Sequence, residues 1–409
     1  RIRFLLKGSV MEFAPRMRRF KPSPSQIASA RVRDLLAEGH DIVKLTAGEP
    51  DFPTPDHAKA AAIACMDANE IRYTPINGLP EMREAARVKF NRDNNLDYGM
   101  DQIAVGSGTK QILFNCLMAT VSAGDETIIP APYWASYPDM VQLAGGTPVT
   151  VDCGQNNLFK MRPEQLEEAI TPNTKWLMFS SPSNPTGATY SLDELKALAD
   201  VLLANPHVYI LTDDVYEHLI YDGRTFHTLA EVEPALYDRT VTCNGVSKAY
   251  SMTGWRVGFA GGPKDVIANM SKMQSQSTSG SSAVSQAAAV AALIGPQEFV
   301  KERTANLQYR RDILFEKLNK AKGLKCDLPE GAMYIFCSCA GNIGKKAPNG
   351  KVIETDEDFT MYLLDSAGVA VVQGNAYGLS PYFRASFVAP EADLVRGGDK
   401  IQEACAALS

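Results

Sequence analysis

Cysteine is scarce and unpatterned. The eight cysteines among 409 residues (Cys65, Cys116, Cys153, Cys243, Cys326, Cys337, Cys339, Cys405) form no CxxC pair. Most lie in apolar runs, as buried free thiols do. A disulfide scaffold is therefore excluded, and a reducing, cytoplasmic compartment is expected. Cys337 and Cys339 alternate on an expected strand, with no histidine nearby. Histidine is scarcer still. The five (His40, His57, His207, His218, His227) form no HExxH or other paired spacing, so no metal is expected. Long apolar runs are missing: Ile2 to Val10 is too short and too interrupted for a signal sequence or a membrane span. The chain opens on Arg1, and residues before Met11 read as upstream sequence. A net charge of −6 lacks the positive excess that nucleic acid or an anionic membrane would attract. Only the first segment is basic, which reads as a solvated arm. No internal repeat is visible. The 45% hydrophobic and 22% charged content is that of a globular protein, and the length suggests two domains.

The most informative stretch runs from Asn244 to Gly258. It holds one lysine, Lys248, and one arginine, Arg256, among small and aromatic residues. Apolar runs on either side read as short buried strands, which makes the middle a loop at a sheet edge. Desolvation there favours the neutral amine of Lys248, the nucleophile for Schiff-base formation. The planar fork of Arg256 suits a phosphate. Upstream, Ile103 to Val105 is a strand that runs into Gly106-Ser107-Gly108-Thr109-Lys110-Gln111, and the next apolar positions fit one helix face. A strand, a glycine turn and a helix N-terminus can form an anion site or an ordinary βα turn.

Other segments carry polar residues at strand ends. Trp176 to Phe179 leads into Pro182-Ser183-Asn184-Pro185, whose two prolines fix the direction of Asn184. Val208 to Leu211 leads into Thr212-Asp213-Asp214-Val215-Tyr216. Ligands of open α/β sheets bind beyond strand C-termini, and an acid there shifts a nearby pKa by about 1–3 units. Arg384 alternates with bulky neighbours on an expected strand, Tyr382 to Phe387. It is either buried and in need of a carboxylate, or salt-bridged on an edge strand.

Taken together, Ser247-Lys248…Met252…Gly254-Trp255-Arg256…Gly258, the G-E-P-D-F loop at Gly48, the P-x-N-P-T-G turn at Asn184 and the Phe383-Arg384-Ala385-Ser386 segment resemble the class I/II aminotransferases. These are the fold-type I pyridoxal phosphate (PLP) enzymes. The likeness runs from about Lys21 to the C-terminus. It is nearest the bacterial aspartate aminotransferase branch with thermophilic members, subgroup Ib. The resemblance implies an α/β fold: a large domain with a mainly parallel sheet, and a smaller α+β domain built from both chain ends. Residues 1–55 would form the arm and part of the small domain, 56–298 the large PLP-binding domain, and 299–409 the rest of the small one. It implies that Lys248 holds PLP, that Ser107, Gly108, Thr109, Ser247 and Arg256 cradle its phosphate, and that Trp134 stacks on its ring. Asp213 would pair with the pyridine nitrogen, and Asn184 and Tyr216 would bond the phenolic oxygen. Asp214 stands where the family has glutamate. Arg384 would take the substrate's α-carboxylate beside Gly48, Trp134 and Asn184. Tyr73 would reach the site of a partner subunit, so a homodimer is expected.

The expected reaction moves the amino group of aspartate, or of an aromatic amino acid, to 2-oxoglutarate. A C–S β-lyase of the same fold would retain nearly all these residues. A non-catalytic PLP-binding regulatory module is the reading of another class, but the stretch before Lys21 is short for a DNA-binding domain. No arginine occurs between Arg256 and Arg303, where the other main aspartate aminotransferase branch has its distal-carboxylate arginine. Lys110 is the chosen substitute, with Ser23 and Ser25 as neutral donors. The alternative is a Lys110 solvated at the helix start, where the dipole disfavours it.

Overall fold

The computed structural model describes residues 11, 13–19 and 24–409, with the side chains of 24–29 left outside. Ser23 and the side chain of Ser25 therefore lie outside the described residues. Helix α1 (Pro24–Ala37) buries Val32 and Leu35 against Ile42, Leu364 and Ala370. Strand β1 (Val43–Lys44) follows and pairs with a strand near the other end of the chain. Helices α2 (Asp56–Asp67) and α3 (Pro80–Asn94) come next. The small residues Ala58, Ala62, Ala288, Ala289 and Ala292 share one core and allow α2 to pack closely on the helix Ala283–Ile294. The side chain of Ser282 caps that helix.

The central sheet has seven strands: β2 (Ile103–Gly106), β3 (Glu126–Ala131), β4 (Thr147–Asp152), β5 (Thr174–Ser180), β6 (Tyr209–Asp213), β7 (Thr240–Gly245) and β8 (Gly258–Gly261). Helix α4 (Thr109–Thr120) follows β2. The spatial order is β2-β8-β7-β6-β5-β3-β4, and only β8 runs against its neighbours. Every residue of β2, β7 and β8 is buried, as expected for a sheet covered on both faces. Because β8 is the lone antiparallel strand, the loop 246–257 turns back between two interior neighbours. It lies at the strand ends and not at a sheet edge, which corrects the sequence expectation.

Beyond the long helix Glu298–Lys320, β9 (Tyr334–Ser338), β11 (Val372–Gln373) and β12 (Tyr382–Ser386) form a three-stranded antiparallel sheet with β12 in the middle. The run Val369 to Val372 is not one strand: β10 (Val369–Ala370) pairs with β1, while β11 joins β12. Helix Asp356–Ala367 was not expected. Its signals are a Thr355–Asp358 capping box and the left-handed Gly368 that ends it. The polar stretch 341–351 is tied to the chain end by paired backbone bonds between Lys346 and Ser409. All eight cysteines are buried and unpaired.

Val43 and Leu45 share a hydrophobic core with the residues from Leu307 onward, as the smaller unit drawn from both chain ends requires. Val215, Tyr216, Leu219 and Tyr221 also enter that core, so the turn after β6 reaches across from the seven-stranded sheet. No helix among the described residues is long and apolar enough to cross a membrane.

Candidate active site

The C-terminal ends of β5, β6 and β7 lie in register, Ser180 beside Asp213 and Asp213 beside Cys243. With the start of α4 and the loop after β7 they border a cleft of about 880 Å³. Of the residues expected there, Gly48, Thr109, Lys110, Trp134, Asn184, Asp213, Tyr216, Ser247, Lys248, Arg256 and Arg384 line it together.

Strand β6 delivers Asp213 into this cleft and leaves Asp214 out of its lining. Asp213 is buried; its Oδ2 accepts from the Tyr137 hydroxyl at 2.7 Å, and its Oδ1 has no partner. Burial pushes its carboxyl above the usual range, against the pull of that hydrogen bond, a backbone N–H and the Lys248 charge. The Lys248 Nζ donates to the Gly48 carbonyl at 2.5 Å and lies 5.7 Å from the centre of the Tyr216 ring. The Tyr216 hydroxyl bonds that of Tyr334 at 2.9 Å, and burial raises its pKa well above the ordinary value.

At the other end of the cleft, α4 begins with no side-chain cap. Its first amides are therefore open donors at the positive end of the helix dipole. Arg256 adopts a left-handed backbone (φ 56°) and donates to the Thr253 carbonyl at 2.8 Å and the Ser107 carbonyl at 3.3 Å. Two glycines make this approach possible. A Cβ on Gly108 (φ +86°) would lie 2.3 Å from an Arg256 nitrogen, and one on Gly258 would lie 2.2 Å from the Thr109 amide nitrogen. The Ser107 amide is already engaged by the Gln111 Oε1. Ser107 and Gly108, expected in the phosphate cradle, do not line the cleft themselves and meet it only through Arg256, which lies against both.

Arg384 resolves the two readings of its strand. Strand β12 is central, and Arg384 is buried between the rings of Tyr334 and Tyr377, at 4.2 and 5.1 Å. Its nitrogens donate to the Asn184 Oδ1 and the Thr46 carbonyl, both at 3.0 Å, and its Nε has no partner. A buried guanidinium held by neutral oxygens alone is poised for an incoming carboxylate.

Lys110 stands over the Trp134 ring, 4.7 Å from its centre. Burial, then the charge of Arg256, lowers its pKa, while Asp139 opposes them. Tyr73 is not brought into this cleft. It is fully exposed and borders a separate one with Cys65, Arg72 and Ala283. At Gly48 a Cβ would make only ordinary contact with the Tyr334 hydroxyl, at 3.5 Å.

Sequence reasoning missed Tyr137, Tyr334, Ser180, Thr46, Arg33 and Glu49, all of which line the cleft. Tyr137 stands in a visible aromatic run, Thr46 and Glu49 lie at the G-E-P-D-F loop, and Ser180 ends an apolar run; nothing local marked Tyr334 or Arg33. Folding also gathers Asp93, Glu217 and His218 to within 4.8 Å of one another, which no spacing announced. The buried ammonium of Lys89 pairs with Glu217 there and supplies the positive charge.

Comparison with known proteins points to one family. The family described as aminotransferase class I and II matches residues 40–401. A probable aspartate/prephenate aminotransferase of Rhizobium leguminosarum bv. phaseoli is 55% identical over 96% of this chain and 98% of its own. The aspartate aminotransferase of Rhizobium meliloti (strain 1021) is 52% identical over 93% of each. The crystal structure of the aspartate aminotransferase from Rhizobium meliloti superposes with a TM-score of 0.96 at 50% identity, covering 98% of this chain and 100% of that one. The Thermus thermophilus aspartate aminotransferase with maleate gives 0.90 at 37% identity, over 97% and 100%. The strand order, the lysine loop and these likenesses lead to one conclusion: the chain belongs to the class I and II aminotransferases.

Proposed function

We propose that this chain is a PLP-dependent aspartate aminotransferase that passes the amino group to 2-oxoglutarate. One observation carries the reading: a lysine amine, a buried carboxylate oxygen without a partner and a buried arginine without a carboxylate share one cleft. The residues fit the cofactor. The unpartnered Asp213 Oδ1 suits a protonated ring nitrogen, and the open start of α4 with Arg256, Thr109 and Ser247 suits a phosphate. Trp134 offers a ring face, and such stacking contributes about 0.5–1.5 kcal/mol beyond burial. The chemistry supplied by bound PLP is an electrophilic aldehyde and an electron-accepting ring.

The protein's own groups do the rest. Lys248 would hold the cofactor through Nζ, and its amine is the base placed to take the proton from the substrate Cα. Arg384 grips the α-carboxylate and orients that Cα–H bond. Asp213 holds the proton on the ring nitrogen. Asn184 accepts from Arg384 through Oδ1, which leaves its amide N–H₂ as a donor to the phenolic oxygen, beside the Tyr216 hydroxyl. The relatives' names support aspartate, and several also name prephenate, another substrate with two carboxylates. A half-reaction panel of amino and oxo acids, read by absorbance, tests the assignment. Pyruvate and ammonia as products would favour a lyase, and no turnover at all a binding module.

Lys110 is proposed to hold the distal carboxylate. One charged hydrogen bond is worth about 1.5–3 kcal/mol. Lys110→Ala is therefore expected to lower kcat/KM for aspartate by about 10- to 100-fold, with alanine almost unaffected. Equal losses for every donor would instead assign Lys110 to the cofactor site or to the fold.

A homodimer with shared sites is supported by the full exposure of Tyr73 and by the exposed apolar side chains Ile63 and Met66 on α2 and Ile71 just after it. Apolar clusters of this kind mark interaction surfaces. Mixing Tyr73→Phe and Lys248→Ala proteins, each impaired alone, is expected to restore activity through hybrids. A fully active monomer in sedimentation would refute sharing. The division at residues 55 and 298 and a cytoplasmic location complete the proposal.

A further inference from the structure

Five cationic side chains line the cleft (Arg33, Lys110, Lys248, Arg256 and Arg384) against two carboxylates, Glu49 and Asp213. Under the reading above, Lys248 and Arg256 serve the cofactor's aldehyde and phosphate, and Arg384 the substrate's α-carboxylate. Asp213 answers the ring nitrogen, and Glu49 accepts from the Thr253 hydroxyl at 2.7 Å. Two cations, Lys110 and Arg33, are left for the remaining charge of a dicarboxylate. They come from different elements. Lys110 opens α4 and stands over Trp134. Arg33 sits on α1, whose Val32 and Leu35 are fastened to Ile42, Leu364 and Ala370. With 3.6 residues per turn, the position after Val32 is rotated by about 100°, and Arg33 there is exposed along the cleft wall. Among the described residues no ion pair involves either side chain.

A donor of four carbons and an acceptor of five must use this one cleft, both anchored at Arg384. Their distal carboxylates then end one methylene apart, and one fixed cation cannot serve both equally. We infer that Arg33 determines specificity for the longer dicarboxylates, its guanidinium taking the distal carboxylate that Lys110 takes in the shorter ones. The long stem and planar fork of arginine suit this reach. The inference rests on the dicarboxylate reading of the same site.

The test is calorimetric titration of the holoenzyme with maleate (four carbons), glutarate (five carbons) and butyrate (a monocarboxylate), for wild type and Arg33→Gln. Because Arg33 is exposed, the variant is expected to fold normally, and a thermal melt checks this. Its Kd for glutarate should rise about 5-fold, as for a solvent-accessible charge pair near the top of its range. Maleate should change less than about 2-fold on the same scale, and butyrate not at all. Equal weakening of all three ligands, or none, overturns the role of Arg33. A wild-type enzyme that prefers neither dicarboxylate to butyrate overturns the dicarboxylate reading itself, and this inference with it.

Discussion

Lys248→Ala is expected to lose turnover by about 10⁴-fold or more. Proton transfer by a positioned base alone contributes about 10²–10⁴, and the covalent hold on the cofactor is lost as well. The Lys248 Nζ has one hydrogen bond, to the Gly48 carbonyl, and no carboxylate against it. Its removal breaks no salt bridge, though it takes away a positive charge that favours ionised Asp213, and the variant should fold. It should still bind PLP through Arg256, the start of α4 and Asp213. Borohydride reduction of the wild-type holoenzyme should fix the cofactor to the peptide containing Lys248, and the variant should yield no such adduct. Label on a peptide without Lys248 would refute the assignment.

Asp213→Asn should separate catalysis from stability. The substitution keeps the shape, and the amide oxygen can still accept from Tyr137, but the charge proposed to keep the ring nitrogen protonated is gone. Removing one preorganised electrostatic group typically costs about 10²–10³ in kcat, and a loss in that range is expected in single-turnover absorbance. Stability should move the other way. Burial raises the Asp213 carboxyl pKa in the cofactor-free fold, so the folded state holds that proton more tightly than the unfolded chain. This stabilisation is complete below the unfolded pKa and fades as pH rises through the folded one. At pH 8 the buried, half-satisfied carboxylate is then a burden that asparagine removes. Cofactor-free Asp213→Asn should melt no lower than wild type at pH 8, with its relative advantage shrinking toward acid pH. Added PLP should stabilise wild type far more than the variant. Unchanged turnover, or equal stabilisation by PLP, would remove Asp213 from its role.

The order of amino acids by itself determined the class of the fold and the main parts of the site. Lys248, Arg256, Asn184, Asp213 and the strand-to-helix turn at Gly106–Thr109 each sit at the end of a short apolar run, and strand ends are where open α/β sheets gather their functional groups. Such signals are local: a run, a turn, a charged residue where charge is costly. Other features depend on what lies across the fold. Whether Arg384 was central or at an edge depended on β9 and β11 flanking β12, and strand pairing over long separations leaves no local mark. That Tyr137 takes one oxygen of Asp213 and leaves the other open follows from α-carbon positions 76 residues apart in sequence. The antiparallel course of β8, which carries the lysine loop back into the sheet, could not be read from its all-buried residues, because a strand covered on both faces has no alternation to show its direction. Nothing in the sequence sets Arg33 apart, and its place follows from Val32 and Leu35, which fasten α1. Packing of the apolar face decided where the charged one points, and that choice belongs to the tertiary structure alone.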